Sequence, residues 1–274
     1  MRTQTEKGIV FRGLHQRDHA FIIPNPWDVG TARVLAHLGF EALATTSAGY
    51  AFSIGQCDNT VGRDKIMAHV REIASATDLP VSADLENGFG DDPETVAETI
   101  RLGGAAGLVG GSIEDSTTRR DDPIYEIEKA AERVRAASET ARSFPFPFTL
   151  TARAENYLIG RGDLSDTIKR LQAYQQAGAD VLYAPGLARK EDIAAVVSSL
   201  DRPVNVLMFE GVRLSLAELS EIGVKRISVG SVLSRVALSA LIRAAEEMRD
   251  HGTFTYGDDI MSFRDISAMF RNFE

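Results

Sequence analysis

One pattern occurs four times in the chain: GFEALATTS (residues 39–47), GAAGLVGGS (104–112), GADVLYAPG (178–186) and GVKRISVGS (223–231). Each copy begins with a glycine, continues as a short apolar run and ends in a small residue. The glycine suits the left-handed conformation that ends many helices, and the apolar run suits a strand buried on both faces. A repeated helix-to-strand unit predicts parallel strands that alternate with helices.

The same alternation continues on both sides of these copies, from about residue 21 to about residue 250. Eight short apolar runs, separated by segments of helical period, are candidate strands. They occupy residues 21–24, 42–46, 81–84, 107–113, 148–152, 181–184, 204–207 and 226–229. An open doubly wound sheet uses the same units, but eight units in 274 residues favour closure. We therefore predict an α/β fold, a single (β/α)8 TIM-type barrel over residues 1–250.

The pattern changes at the C-terminus, where residues 253–274 read TFTYGDDIMSFRDISAMFRNFE. This stretch holds too many large apolar residues for a solvated tail, and a closed barrel has no room for it inside. We predict that residues 251–274 form a helical extension. The extension packs either on its own barrel or on a partner subunit, and exchange between subunits of a homo-oligomer is the arrangement we expect.

Composition and charge exclude several classes of function. The net charge of −9, without a basic stripe to offset it, argues against a nucleic-acid partner. The single cysteine, Cys57, cannot form an internal disulfide, which is typical of a reducing compartment. No apolar run approaches the ~20 residues of a membrane span, and the first residues carry charges throughout. We expect a cytoplasmic protein with no membrane partner.

Acidic residues follow two neighbouring candidate strands at the end where barrel enzymes place their reactive groups. Asp84 closes the third strand, Glu86 follows two residues later and points the same way if the strand continues through it, and Glu114 closes the fourth strand. Three carboxylates within ~6 Å would repel by ~8 kcal/mol in total at an effective dielectric near 20, which a bound cation would relieve. Oxygen ligands without His or Cys favour Mg2+, with Mn2+ possible. The alternative is that these acids cap helices or pair with arginines such as Arg153.

Other polar groups follow the second and fifth strands. Arg153 can bind a substrate carboxylate or a developing oxyanion, or it can simply neutralise the nearby acids. Ser47-Ala48-Gly49 can offer successive backbone N–H groups to an anion, and Asp58 ends a loop of small residues able to fold over it. Histidine-based catalysis is not indicated, because none of the five histidines follows a strand.

Taken together, seven segments in order and with compatible spacing resemble the isocitrate lyase/phosphoenolpyruvate mutase superfamily. They are PNPWDVGTARVLAHLGFEALATTSAGYAFSIGQCDN (24–59), SADLENGFGDD (82–92), GLVGGSIEDS (107–116), TARAENY (151–157), AGADVLYAPGL (177–187), PVNVL (203–207) and GVKRISVGSVLSRVAL (223–238). The resemblance implies a barrel that holds Mg2+ at its mouth and stabilises an enolate of a small keto acid or carboxylate. It also implies a tetramer in which a C-terminal helix is exchanged between barrels.

The resemblance assigns a set of carboxylates to the metal. Asp84 matches the direct metal ligand. Glu86, Glu114 and Asp58 match carboxylates that act directly or through water, and Glu114 and Asp58 are the ones expected to take part in catalysis.

A second set of residues is assigned to the substrate. Ser47-Ala48-Gly49 matches a backbone cradle for the substrate carboxylate, and Arg153 matches the arginine that grips the substrate and acts in catalysis. Asn205 lies where a polar contact to the ligand is usual. The implied ligand is a small carboxylic acid.

The chain also departs from the superfamily pattern. The segment after Glu114, DSTTRRDDPIYEIEKAAERV (115–134), has no cysteine, whereas isocitrate and methylisocitrate lyases carry a Cys-Gly-His segment there. Phosphonopyruvate enzymes usually have a lysine and an Asn-Ser pair in that loop and a histidine after strand 6, which here ends YAPGL (183–187). Glu86 stands where an aspartate is usual. These differences indicate a branch that lacks the lyase cysteine loop.

Three functions remain open from the sequence. The expected one is a Mg2+-dependent lyase or decarboxylase that cleaves a C–C bond of a small α-keto or 2-hydroxy dicarboxylic acid through an enolate. The first alternative is P–C bond chemistry on phosphonopyruvate, with Arg119 or Arg120 in place of the missing loop lysine. The second alternative is a barrel that binds a metal-chelated metabolite without turnover.

Overall fold

Eight parallel strands form a single sheet that curls into a nearly closed barrel. The structure is a computed structural model that describes residues 2–257 and 260–273. The strands are β1 (Phe21–Ile23), β2 (Leu43–Ala44), β3 (Val81–Asp84), β4 (Gly110–Glu114), β5 (Thr149–Arg153), β6 (Val181–Tyr183), β7 (Val204–Leu207) and β8 (Arg226–Ser228). They pair in the order β1-β8-β7-β6-β5-β4-β3-β2, so each strand from β2 to β7 neighbours the next along the chain and β8 pairs with β1. This order confirms the predicted TIM-type barrel.

Helices alternate with the strands and cover the outside of the barrel. They are α1 (Gln4–Leu14), α2 (Val29–His37), α3 (Ser47–Ser53), α4 (Arg63–Ala76), α5 (Pro93–Ala105), α6 (Ile127–Arg142), α7 (Leu164–Gln176), α8 (Lys190–Ser198), α9 (Leu216–Glu221), α10 (Val232–His251) and α11 (Phe263–Phe270). Among the described residues, no helix combines the length and the apolar character needed to cross a membrane.

The barrel closes between its first and second strands through polar contacts at the mouth, which is the end formed by the carboxyl ends of the strands. The backbone N–H of Ala44 donates to the carbonyl of Pro24 at 3.0 Å. Asn25 donates from Nδ2 to the carbonyl of Thr45 at 3.0 Å, and its Oδ1 accepts from the backbone N–H groups of Val229 and Gly230 at 2.9 Å each. One buried side chain thus links the ends of β1, β2 and β8.

The glycines that end the helices follow the repeated pattern, with one correction. Gly39, Gly178 and Gly223 have φ values of 87°, 105° and 91°, in the left-handed region that favours glycine. In the second copy, α5 continues through Gly104, and Gly107 takes the left-handed conformation with φ 99°. The prediction that the pattern at residues 104–112 has the same helix end as the other three copies was therefore wrong by three residues. Strand β4 begins at Gly110 instead of Gly107.

The C-terminal segment leaves much apolar surface uncovered. One of the 20 residues of α10, Ser234, is buried. The apolar side chains of Val236, Leu241 and Ile242 on the same helix are 54–63% exposed. The predicted helical extension contains α11, which lies against α2, and the guanidinium of Arg33 lies 5.5 Å from the ring of Phe273. The segment thus touches its own barrel, while exchange between subunits remains a prediction. Residues 258, 259 and 274 of the extension lie outside the described residues.

Candidate functional site

A polar cavity of about 350 Å³ opens at the mouth of the barrel. Its polar lining comes from the ends of most strands: Asn25, Thr45, Thr46, Ser47, Asp58, Asn59, Ser82, Asp84, Ser112, Glu114, Ser116, Arg153, Glu155, Tyr183, Asn205, Arg226, Ser228 and Ser231. A larger cavity of about 640 Å³ lies near the starts of β5, β6 and β7, at the opposite end, and one carboxylate, Asp180, lines it. The mouth cavity is therefore the one that gathers the predicted acids.

Arg153 holds three carboxylates at the mouth. Its Nη1 lies 2.9 Å from Asp84 Oδ1, its Nη2 lies 3.2 Å from Glu114 Oε2, and its Nε lies 2.8 Å from Glu155 Oε1. All four side chains are mostly shielded from solvent, with exposures between 6% and 19%. Two of the three predicted metal ligands, Asp84 and Glu114, thus contact the guanidinium of Arg153. This is the second of the two roles considered for Arg153 from the sequence, in which it neutralises nearby acids.

Glu86, the third predicted metal ligand, follows β3 in an unusual backbone conformation. Its φ is 49°, a left-handed value that L residues adopt at a cost and that is common at functional sites. Its backbone N–H approaches Asp84 Oδ1 at 3.3 Å, and its carbonyl accepts from the backbone N–H of Glu114 at 3.0 Å. Its side chain borders an adjoining cleft instead of the mouth cavity, and its Oε1 is buried with no hydrogen-bond partner in the part of the chain that the structure describes.

The arrangement shifts the ionisation of these acids. Burial, together with the charges of Asp84 and Asp58, raises the pKa of Glu86 to about 8. Burial also raises the pKa of Glu114 well above its usual value, against the opposing effect of Arg153. Carboxylates crowded in this way are stable as anions only beside a cation. The raised pKa values favour the protonated acids, and once deprotonated these acids would carry more negative charge than the Arg153 guanidinium balances.

Ser47 ties the loop after β2 to the acids. Its hydroxyl donates to Asp84 Oδ2 at 2.7 Å, and its backbone N–H lies 3.3 Å from the same oxygen. Ser47-Ala48-Gly49 forms the first turn of α3, and the Gly49 N–H donates to Oγ1 of Thr46 at 3.2 Å. A Cβ on Gly49 would lie 2.5 Å from the Thr46 methyl group, so this close turn requires glycine.

Asp58 and Asn205 lie on opposite sides of the same cavity. Asp58 is at the exposed rim, where crowding by neighbouring atoms and the charge of Asp84 raise its pKa. Asn205 is buried at the end of β7, donates to Ser228 Oγ at 2.9 Å and accepts from Arg226 Nε at 2.9 Å. The mouth cavity is therefore lined by most of the predicted site residues, namely Ser47, Ala48, Asp58, Asp84, Glu114, Arg153 and Asn205, while Glu86 and Gly49 do not line it.

Several residues that support the site were assigned no role from the sequence, although Asp115 and Glu155 also follow predicted strands. Glu155 follows β5 and takes the third position on Arg153, and Asp115 accepts from the backbone N–H of Glu155 at 2.8 Å. Arg133, fully buried on α6, donates to the carbonyls of Asn87 and Gly90 and so holds the loop that carries Glu86. The available signal was the helical period, which places Arg133 on the same face of α6 as the buried Ala130, Val134 and Ala137.

The donor set can be compared with the needs of a divalent cation. Among the described residues, no three His, Cys, Asp or Glu side chains already surround one point suited to a metal ion. The chemistry of the donors nevertheless fits a hard cation, because they are carboxylate oxygens, they outnumber the cationic groups that contact them, and Glu86 Oε1 has no partner within residues 2–257 and 260–273. Such a set fits Mg2+ or Mn2+ that keeps several water ligands.

Comparison with known proteins gives consistent relatives. A family model described as phosphoenolpyruvate phosphomutase matches residues 11–249. An uncharacterized protein of Mycobacterium tuberculosis (strain H37Rv) is 32% identical over 243 residues, which cover 88% of this chain and 89% of that protein. The 2-methylisocitrate lyase of Halalkalibacterium halodurans is 26% identical over 273 residues, covering 96% of this chain and 89% of the enzyme.

Solved structures agree with these relatives. A Burkholderia cenocepacia J2315 protein, provisionally assigned as a lyase or mutase, is 60% identical with a TM-score of 0.96, covering 98% of this chain and 96% of its own. A 2,3-dimethylmalate lyase is 27% identical with a TM-score of 0.86, covering 99% and 96%. An oxaloacetate acetylhydrolase bound to oxalate is 27% identical with a TM-score of 0.86, covering 98% and 95%. The chain belongs to the phosphoenolpyruvate mutase/isocitrate lyase superfamily and is an enzyme of the lyase/mutase type.

Proposed function

We propose that the enzyme is a divalent-metal-dependent C–C lyase that acts on a small α-keto or 2-hydroxy dicarboxylic acid through an enolate. The observation that carries the proposal is the ion pairing of Asp84, Glu114 and Glu155 with Arg153. The backbone N–H of Glu86 lies 3.3 Å from Asp84 Oδ1 in the same group. Relatives named for cleavage of 2-methylisocitrate, 2,3-dimethylmalate and oxaloacetate support the same bond type.

In this proposal Asp84, Glu86 and Glu114 would hold the cation, which supplies a Lewis acid for the substrate oxygens when bound. Mg2+ is the expected ion, with Mn2+ as the alternative. The Ser47-Ala48-Gly49 turn would receive the substrate carboxylate through backbone N–H groups, and those of Ser47 and Gly49 would exchange their acceptors Asp84 and Thr46 for it.

Arg153 would bind the oxygen that gains charge as the bond breaks. Its three described contacts use three of the five N–H donors of a guanidinium, so two remain for a ligand. Burial lowers the pKa of Arg153, but the carboxylates of Glu155, Glu114 and Asp84 outweigh burial and hold that pKa well above its ordinary value. The residue therefore stays charged and can stabilise an enolate throughout the reaction.

Proton movement falls to the carboxylates around the cavity. Asp58 and Glu86 have raised pKa values, so each can exchange a proton near neutral pH more readily than an ordinary carboxylate. Glu114 would take part in the proton movement through its ion pair with Arg153. Asn205 would contact the ligand through the second N–H of its amide, because the first donates to Ser228.

The test is a Mg2+-dependent cleavage assay over a panel of oxaloacetate and 2-hydroxy dicarboxylic acids, with wild type and Asp84→Ala compared. We expect metal-dependent product formation that Asp84→Ala loses by at least ~100-fold, the scale seen when a group that stabilises transition-state charge is removed. Unchanged turnover in Asp84→Ala would refute the site assignment.

P–C bond chemistry is a second candidate, because the matching family model is described as a phosphomutase. Phosphonopyruvate enzymes usually carry a lysine in the loop after strand 4. In this chain that loop carries Arg119, which forms ion pairs with Asp91 and Asp122. This pairing weakens the candidate, since the guanidinium is already held away from the cavity by two carboxylates. Phosphate release from phosphonopyruvate, measured beside pyruvate formation from oxaloacetate, distinguishes the two reactions.

We further propose that the enzyme is a homo-oligomer, a dimer or tetramer, in which a partner subunit covers α10 and the exchanged C-terminal segment. The exposed apolar side chains of α10, with Phe254, Ile260 and Phe263 at 69–88% exposure, support this arrangement. Light scattering on the full chain and on a chain truncated after residue 252 tests it, since only the full chain should assemble. The predicted cytoplasmic location remains a prediction.

A further inference from the structure

Arg226 is a buried guanidinium that the proposed mechanism does not use. It is the first residue of β8, is 5% exposed and borders the mouth cavity from below. Its Nε donates to Asn205 Oδ1 at 2.9 Å, and its Nη2 donates to Thr151 Oγ1 at 3.0 Å. Its Nη1 is buried and has no hydrogen-bond partner among the described residues.

The charge of Arg226 is also uncompensated. The ion pairs found in residues 2–257 and 260–273 include Arg153, with three carboxylates, and Arg170, with two, but not Arg226. Burial and, to a smaller extent, the charge of Arg153 together lower the pKa of Arg226 to about 10, against a raising effect of Tyr183. The guanidinium is therefore still a cation at neutral pH.

A buried cation without an anion costs stability, usually several kcal/mol. The surrounding contacts, an amide and a hydroxyl, are neutral and offset only part of this cost. The remaining donor and the open cavity above it are what an anionic ligand needs. The cavity, about 350 Å³, is within the usual size range for small-molecule sites.

We propose that Arg226 forms a second anion subsite at the floor of the cavity, and that this subsite takes the second carboxylate of a 2-hydroxy dicarboxylic acid. The first carboxylate and the C2 oxygen of the ligand then lie at the Asp84 end, so the inference rests on the proposed function. Asn205, held by Arg226 on one side and Ser228 on the other, lies between the two ends.

The subsite selects among reactions as well as ligands. In cleavage, the C2 hydroxyl gives its proton to a carboxylate of the site, the C2–C3 bond breaks, and its electron pair moves to C3. The C2 side leaves as a 2-oxo acid, while the pair on C3 delocalises into the adjacent second carboxylate until C3 takes up a proton. The negative charge on the second carboxylate therefore rises, and the guanidinium of Arg226 beside it stabilises the transition state.

In β-decarboxylation the same carboxylate leaves as neutral CO2. Its ion pair with Arg226 is then lost as the reaction proceeds, so Arg226 stabilises the starting state more than the transition state. The position of Arg226 therefore favours C–C cleavage that keeps the second carboxylate over loss of that carboxylate as CO2.

The test uses two matched ligands, racemic malate and racemic 2-hydroxybutyrate, which differ by a carboxylate in place of a methyl group. Binding of each, and of oxalate, is measured by calorimetry with excess Mg2+. We expect wild type to bind malate about tenfold or more tightly than 2-hydroxybutyrate, and Arg226→Met to lower malate affinity by about the same factor. Oxalate and 2-hydroxybutyrate should change by less than about threefold.

Two further variants complete the design. Arg226→Lys keeps the charge and should recover part of the malate affinity, and Arg202→Met, which removes an exposed arginine at the opposite end, should change none of the three ligands. If wild type bound oxalate but bound malate and 2-hydroxybutyrate equally well, the inference about Arg226 would be overturned while the proposed function would stand. This comparison needs no variant, so it holds whether or not the variants fold. Failure of wild type to bind oxalate with Mg2+ would instead overturn the proposed function.

Discussion

Replacing Arg153 with methionine removes the one guanidinium that three acids share. The substitution keeps a side chain of similar length in a position that is 13% exposed, but leaves Asp84, Glu114 and Glu155 without their cation. The ring of Tyr183, 5.2 Å from the guanidinium, loses a favourable contact as well.

The expected cost follows from the contacts. Each ion pair is worth ~4 kcal/mol at about 4 Å and an effective dielectric of 20, but desolvation of the guanidinium offsets much of the total. Removal of one member of a buried ion pair usually costs 3–5 kcal/mol, as a rough range, because the remaining charges stay buried. For a chain of 274 residues, that loss lowers the midpoint of thermal unfolding by roughly 10 °C.

The assay is thermal and urea unfolding of the metal-free protein near neutral pH, with and without excess Mg2+. Arg17→Met is the matched control, because Arg17 pairs with Glu41 at the surface and should contribute at most about 1 kcal/mol. Mg2+ should recover more stability in Arg153→Met than in wild type, since the cation replaces lost positive charge among the same acids. If Arg153→Met were as stable as Arg17→Met, or insensitive to Mg2+, the account of a charge-crowded site would be refuted.

Two predictions concern pH. Because the pKa of Glu86 is raised to about 8, the folded metal-free protein holds a proton there that the unfolded chain releases above its ordinary pKa, so stability falls as the pH rises towards 8. Glu86→Gln should lack this fall, and parallel unfolding curves for the two proteins from about pH 6 to pH 9 would contradict the assignment. At the other end of the barrel, burial lowers the pKa of His15 to about 3, so the unfolded chain binds a proton that the folded protein excludes, and stability falls as the pH drops below about 6.5. In His15→Leu the fall between about pH 6 and pH 5 should be smaller by about 1 kcal/mol, measured by urea unfolding, and an unchanged slope would show that His15 is not buried as a neutral ring.

The parts of the fold set by local pattern could be predicted from the sequence. Eight apolar runs and their helical partners specify parallel strands, and the carboxyl ends of such strands meet at one end of a barrel. That rule placed Asp84 and Glu114 together before any coordinates, and the structure joins them through Arg153.

Other features depend on contacts between distant segments. Strand β3 ends at Asp84, so the orientation of Glu86 follows from its left-handed backbone and the hold of Arg133 on the loop, not from strand alternation. The sequence assigned no role to Arg226 because it starts a strand, whereas barrel enzymes place their reactive groups at strand ends. The available signal was the pair of charged residues, Lys225 and Arg226, inside the strand-forming run VKRISVG (224–230).

The central claim is that acids from neighbouring strands bind one divalent ion together with a small carboxylate ligand. The most direct measurement is a crystal structure of the wild-type enzyme with Mn2+ and oxalate, in which anomalous scattering locates the metal. We expect a single strong peak at the mouth, from a metal bound by Asp84 directly, by Glu86 and Glu114 directly or through water, and by oxalate oxygens. A peak elsewhere, or oxalate bound with no metal beside Asp84, would contradict it.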